Sequence, residues 1–178
     1  MNIFVLDKDP YVSARMMCDK HVPKMVVESA QMMASALRRH GATDDQMPLT
    51  QKGTPYKGGY ANHPCTVWVG ETQENFDWLC DHAYKLLCEY WERFGKEHAC
   101  TKPIMQMYHM SEMIPEGEQT PFALAMPDEY RPVACHINNG YLYHARGDTA
   151  TKAYRDYYRG DKARFAKWDK GTPAPEWW

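Results

Sequence analysis

Apolar residues recur along this chain in more than one rhythm. Between residues 72 and 94, Phe76, Leu79, Ala83, Leu87, Tyr90 and Phe94 return at steps of three and four, and Gly95 follows where a C-cap belongs. That predicts an amphipathic helix. Asp9-Pro10 pairs an N-cap acceptor with the ring suited to the first helical position, so helical character is expected from there towards Arg39. Pro23 should kink this stretch or split it in two, and His40-Gly41 should end it. Ile3-Phe4-Val5-Leu6 does not alternate, which predicts a short buried strand or an extended arm.

Between these elements the pattern fades. Residues 41–62 are rich in Gly, Pro, Thr, Asp and Lys and read as a long surface loop. Residues 101–140 carry many prolines and read as mostly irregular, with Met126-Pro127-Asp128-Glu129-Tyr130 opening a turn. A last helix is expected over about Thr149–Trp168, inside a basic aromatic segment 146–170, with a tail at 171–178. The fold class is mainly α: a single compact helical domain over 1–178, with a short extended N-terminal arm and long irregular loops. Its 178 residues suffice to bury a substantial core.

One helical face departs from the plain amphipathic pattern. At 100° per residue, His21, Lys24, Glu28, Gln31 and Ser35 fall within an arc of about 80°. Nearly everything else from Met25 to Leu37 is apolar or small. The ridge is either the solvent side, with Lys24 and Glu28 an ordinary i,i+4 pair, or the wall of a pocket. In a pocket, a half-buried carboxylate beside an amine and an imidazole suits acid/base chemistry.

Composition narrows the setting. The longest early apolar run is too short for a secretory signal or a membrane span, so a cytoplasmic protein with no membrane partner is expected. The six cysteines form no Cys-x-x-Cys pair and read as buried free thiols. Asn62-His63-Pro64-Cys65 together with Cys18 and His21 offers two thiolates and two imidazoles for zinc, the alternative being a buried thiol and a loop-anchoring histidine. His82 and His98 read as helix-surface residues.

Net charge is -2 overall, but residues 1–145 sum to -5 and residues 146–178 to +3. In that last stretch Lys152, Arg155, Arg159, Lys162, Arg164 and Lys167 interleave with Tyr154, Tyr157, Tyr158, Phe165 and Trp168. Cations for phosphate and rings for stacking suit nucleic acid; an amphipathic helix packed on the core gives the same pattern.

Met1-Asn2-Ile3-Phe4-Val5-Leu6-Asp7, Cys18-Asp19-Lys20-His21 and Asn62-His63-Pro64-Cys65 resemble a family found in tailed phages, especially cyanophages. More distantly, the chain resembles pyrimidine-dimer DNA glycosylases of the endonuclease V type. Asp19, His21 and Glu28 match that family's Asp-x-His and the catalytic Glu nine residues after the Asp. Glu92-Arg93-Phe94-Gly95 is similar to the end of its long helix, and Met126–Arg131 and the Tyr154-Tyr157-Tyr158 cluster resemble its closing motifs. Val27 and Gln31 stand where the family has arginines.

The resemblance implies an α-amine nucleophile, a group whose ordinary pKa of about 8 makes it usable at neutral pH. Met1 would attack the sugar C1′, Glu28 would stabilise the cationic sugar and help β-elimination, His21 would orient, and Lys24 would bind phosphate or tune Glu28. Asn2 is bulky, so Met1 should be retained and its side chain must fit beside the site. Gln31, Asn62, His63, Arg131, Arg155, Tyr157, Tyr158, Arg159 and Lys162 are the candidate substrate-binding residues, and no cofactor is expected. The expected function is a phage DNA glycosylase with AP-lyase activity, acting on DNA in the host cytoplasm. Alternatives are a nucleotide- or base-modifying enzyme on the His21/Lys24/Glu28 ridge, with or without zinc, and a non-enzymatic phage protein that binds a host factor.

Overall fold

The computed structural model describes residues 1–132 and 147–178. Arg146, the first residue of the basic aromatic segment, lies outside them, as do Cys135, His136 and His144. The protein is mainly α, and no strand forms among the described residues.

Helix α1 spans Pro10–Arg15; the Asp9 carboxylate accepts from the N–H groups of Tyr11 and Val12. Helix α2 spans His21–Arg39. The expected disruption at Pro23 occurs earlier, over Met16–Lys20, and Pro23 sits in the first turn of α2, where its missing N–H costs nothing. The break is held open from a distance. Arg93 donates to the carbonyls of Arg15 and Met17, Trp168 to that of Met16, and the Cys18 and Asp19 N–H groups bond the Tyr158 hydroxyl and the Lys167 carbonyl.

Helix α3, Pro64–Val69, starts on His63, whose Nδ1 accepts from the Cys65 N–H at 3.2 Å. Helix α4 spans Gln73–Phe94, capped by Thr72 and ended by Gly95 at φ 67°. Helix α5, Thr101–Tyr108, corrects the irregular reading of this region: Pro103 lies in its first turn, and Ile104 and Met107 are buried on one face. Helix α6 spans Gly147–Tyr157 and continues as a π turn over Tyr158–Lys162, so the helix expected to reach Trp168 or 170 stops short. Gly160 packs against the Tyr130 ring so closely that a Cβ would collide with its hydroxyl. Beyond it, Trp168, Trp177 and Trp178 gather around the buried Tyr158 ring at 6.1–6.4 Å.

Helix α2 is the centre of the fold and packs on α3, α4 and α5. Met25, Met32, Met33 and Leu37 of α2 meet a core that also holds Trp68 of α3 and Phe76, Leu79 and Leu86 of α4, all fully buried. Each such side chain contributes about 1.5–3 kcal/mol. His82 of α4 is also fully buried, stacked on Trp78 at 5.1 Å, which corrects its reading as a surface residue.

The 41–62 segment is non-helical, as expected, and is tied to α2. Arg38 donates to the Tyr56 and Ala42 carbonyls, and Ser35 Oγ bonds both the N–H and the carbonyl of Gly59. Gly58, at φ 80°, lies so close to Ser35 that a side chain would strike Oγ. This clasp covers one end of the polar ridge and delivers His63 to the middle of it.

Candidate active site

The N-terminal arm runs through the core without a strand partner. Ile3, Val5 and Leu6 are fully buried. Side chains satisfy its backbone instead: the Phe4 N–H donates to Asn2 Oδ1 at 2.8 Å, the Leu6 N–H to Ser13 Oγ at 3.0 Å, and Arg155 Nε to the Leu6 carbonyl at 2.8 Å. Phe4 takes φ 39°, a left-handed conformation that is strained for an aromatic residue. The turn points its ring between His21, stacked at 4.7 Å, and Tyr157, stacked at 5.9 Å.

At the arm's tip the Met1 amine lies 3.6 Å from Glu28 Oε2. Glu28 is 9% exposed, and Lys24 Nζ approaches its Oε1 at 3.4 Å while remaining largely in solvent. Oε2 is buried with no hydrogen-bond partner among the described residues. A carboxylate oxygen in that state faces the amine and retains its capacity to accept a proton or to bond a ligand. The middle of the ridge is thus buried against the N-terminal arm, whereas Lys24 reaches water.

His63 completes this cluster. Burial lowers its pKa, the nearby amine lowers it further, and Glu28 opposes them. Because Nδ1 accepts the Cys65 N–H, the ring proton sits on Nε2. Cys65 beneath it is fully buried, and burial pushes its thiol up to about 12. Tyr154, whose hydroxyl donates to the Ala123 carbonyl at 2.7 Å, lies close enough to that thiol to oppose part of the rise.

His21 lies on the far side of Phe4. Its Nδ1 is 2.7 Å from the Tyr158 hydroxyl, which itself accepts the Cys18 N–H. Nδ1 at 2.7 Å is a far better acceptor for the hydroxyl proton than Met17 Sδ at 3.9 Å, so the hydroxyl donates to Nδ1 and the His21 proton sits on Nε2. Burial, then the charges of Lys24, Lys162 and Lys20, lower the His21 pKa to about 3, so the ring is neutral at physiological pH. Those lysines form a cationic rim: Lys20 sits 4.7 Å over the Phe165 ring, and Lys162 donates to the Tyr157 hydroxyl at 2.8 Å.

The zinc set does not assemble. Among the described residues no group of three or more His, Cys, Asp or Glu side chains is placed to hold a metal ion. Cys18, His21, His63 and Cys65 are instead spent on backbone, ring and hydroxyl contacts.

The other sequence candidates divide. Gln31 is half-buried beside Gly59, and Asn62 is exposed at the loop's end. Tyr157 and Lys162 join the site through Phe4, and Tyr158 supports it from the core. Arg155 binds Asp7 at 3.2 Å and the Leu6 carbonyl; Arg159 binds Asp156 at 2.8 Å and the Trp177 carbonyl. Both line a separate cleft with Lys152 and Trp177, while Arg131 pairs with Asp128 at 2.8 Å. Asn2 and Phe4 carry no sequence signal as site residues beyond their place in the arm that begins with Met1.

A family model for pyrimidine dimer DNA glycosylases matches residues 1–102, more than half of the chain. The chain belongs to the pyrimidine dimer DNA glycosylase family. The matched region of this glycosylase-family chain contains the arm, the whole of α1 to α4, and Met1, His21, Lys24, Glu28 and His63. No curated protein and no solved structure matches the chain.

Proposed function

We propose that this protein is a pyrimidine-dimer DNA glycosylase with an associated AP-lyase activity, using the Met1 amine as nucleophile and Glu28 as its acid/base partner. The observation that carries the reading is the 3.6 Å approach of the amine to a buried carboxylate oxygen that lacks any hydrogen bond from the described residues.

The neutral amine attacks C1′ of the damaged nucleotide. The C1′–N1 bond breaks, and its electron pair leaves with the pyrimidine, which takes up a proton. Glu28 accepts the proton shed by the attacking nitrogen and passes it to O4′ as the ring opens to the imine. The carboxylate then removes a C2′ proton, the 3′ phosphate leaves by β-elimination, and water hydrolyses the imine to free Met1. Neutral His21 and His63 each present an Nε2–H to the sugar or its phosphates. Lys20, Lys24 and Lys162 supply phosphate contacts around this centre, in place of the helix-borne Arg155 and Arg159.

Borohydride reduction on a duplex carrying a thymine dimer tests the reading. The expected product is one covalent adduct on the Met1 peptide, absent after N-terminal acetylation. Strand cleavage undiminished in the acetylated protein removes the amine from the reaction.

A further inference from the structure

A chain terminus is ordinarily the most mobile part of a protein, yet this reading requires one to hold a nucleophile at a fixed place. The arm's core-filling residues begin at Ile3, and the Met1 side chain, 1% exposed, packs against the same core while its amine faces Glu28. Asn2 joins the two and is itself 6% exposed. Its Oδ1 accepts the Phe4 N–H at 2.8 Å, and its Nδ2 donates to the Ala125 carbonyl at 2.6 Å. One end of the carboxamide thus folds the arm back on itself, and the other pins it to a segment 123 residues away. The first of these bonds also closes the turn in which Phe4 adopts φ 39°. A short polar side chain accepting a backbone N–H two residues on is the interaction that stabilises such a turn.

We infer that Asn2 is a positioning residue: its buried carboxamide holds the first turn of the chain so that the Met1 amine stays against Glu28. The inference rests on the proposed role of Met1 for its meaning in catalysis, but the clamp itself is a statement about the amine alone. Both ends of the carboxamide are needed. An aspartate at this position keeps an acceptor for the Phe4 N–H, loses the donor to Ala125, and sets a second anion beside the amine.

The clamp is read without DNA by the rate at which a small activated ester acylates the α-amine, followed by mass spectrometry of the N-terminal peptide. In Asn2→Ala this rate should rise about tenfold, the change in freedom that losing one such tether brings. A rate within twofold of the unsubstituted protein, at unchanged helical content, overturns the inference whatever the chemistry of the enzyme. Borohydride trapping on dimer-containing duplex supplies the catalytic readout. Asn2→Ala should trap about 100-fold more slowly with DNA affinity preserved, as expected when a nucleophile is displaced without losing its binding site. Asn2→Asp should move the acid limb of the trapping profile to higher pH, because the added anion favours the protonated amine. Faster acylation in Asn2→Ala with no adduct from the unsubstituted protein leaves the clamp standing and defeats the lyase reading instead.

Discussion

Two glutamates of this protein look alike in sequence and lead opposite lives. Glu28 on α2 and Glu89 on α4 each follow a lysine by four residues, at 3.4 Å and 2.9 Å respectively. Glu89 is saturated: its Oε2 accepts from Arg93 Nε at 2.9 Å, Arg93 Nη2 at 2.7 Å and Thr172 Oγ1 at 2.9 Å. Burial alone would raise its pKa, but the bonds from Lys85, Arg93 and Thr172 and the charge of Arg93 pull it below the ordinary value. Glu28 has a lysine that leans into water and an oxygen that faces the Met1 amine at 3.6 Å without a hydrogen bond from any described residue. The comparison separates a carboxylate that holds the fold from one that the fold holds ready.

Exchange variants at the two positions are the sharpest way to break this contrast. Glu28→Gln should lower adduct formation by about 10²–10⁴-fold while costing less stability than a change at Glu89. Its Oε2 makes no hydrogen bond, and the ion pairs lost, to the Met1 amine at 3.6 Å and Lys24 at 3.4 Å, are loose. A Tm drop comparable to that of a core variant would show that Glu28 is structural after all. Glu89→Gln should do the reverse. It removes one of the two carboxylates paired with the buried Arg93, leaving Asp19 at 3.1 Å, and should cost about 3 kcal/mol in denaturant unfolding, with activity per folded molecule retained.

A second test uses pH. Folded His21 and His82 both titrate at about 3, each lowered chiefly by burial, whereas an unfolded histidine titrates near 6.5. Between those values the unfolded state binds more protons, so stability should fall as pH drops from about 6.5 and stop falling on their account below about 3. Their combined effect should reach a few kcal/mol by about pH 4, read from urea midpoints across that range. His82→Phe isolates one contribution. Both ring nitrogens of His82 are buried without partners, so the variant should gain about 1 kcal/mol at neutral pH and show a shallower acid limb.

The smallest expected effect concerns the cations. Lys24→Ala should weaken duplex binding several-fold and reduce the salt slope by about 1, as for one lost phosphate contact. Arg159→Ala should leave the slope in place and loosen the tail instead, because its guanidinium is occupied by Asp156 and Trp177. A slope lost with Arg159 and kept without Lys24 would return the nucleic-acid surface to the C-terminal helix.

What was readable in the sequence followed the range of the physics involved. The α4 period, the Gly95 cap at its end, the Asp9-Pro10 start and the ridge on α2 are set by neighbours within a few residues. The short α3 and α5 show no period in the sequence, since six and eight residues hold too few turns, and Pro64 and Pro103 sit in first turns, where proline does not break a helix. The break between α1 and α2 was placed at Pro23 because the groups that sustain it, Arg93 and the tail, lie far along the chain. Arg155 and Arg159 had the composition of a phosphate surface, and only their partners distinguish them from one.

The sequence by itself determined a mainly α fold, the polar line from His21 to Ser35, and the family likeness carried by its first hundred residues. Tertiary structure alone decided which carboxylate stays unsatisfied, which histidines are stripped of water, and that the Met1 amine comes to rest 3.6 Å from Glu28. Local periodicity reports the face a residue occupies, because helix geometry repeats every few positions. The partner on that face is supplied by chain from tens or more than a hundred residues away, and no short pattern encodes it.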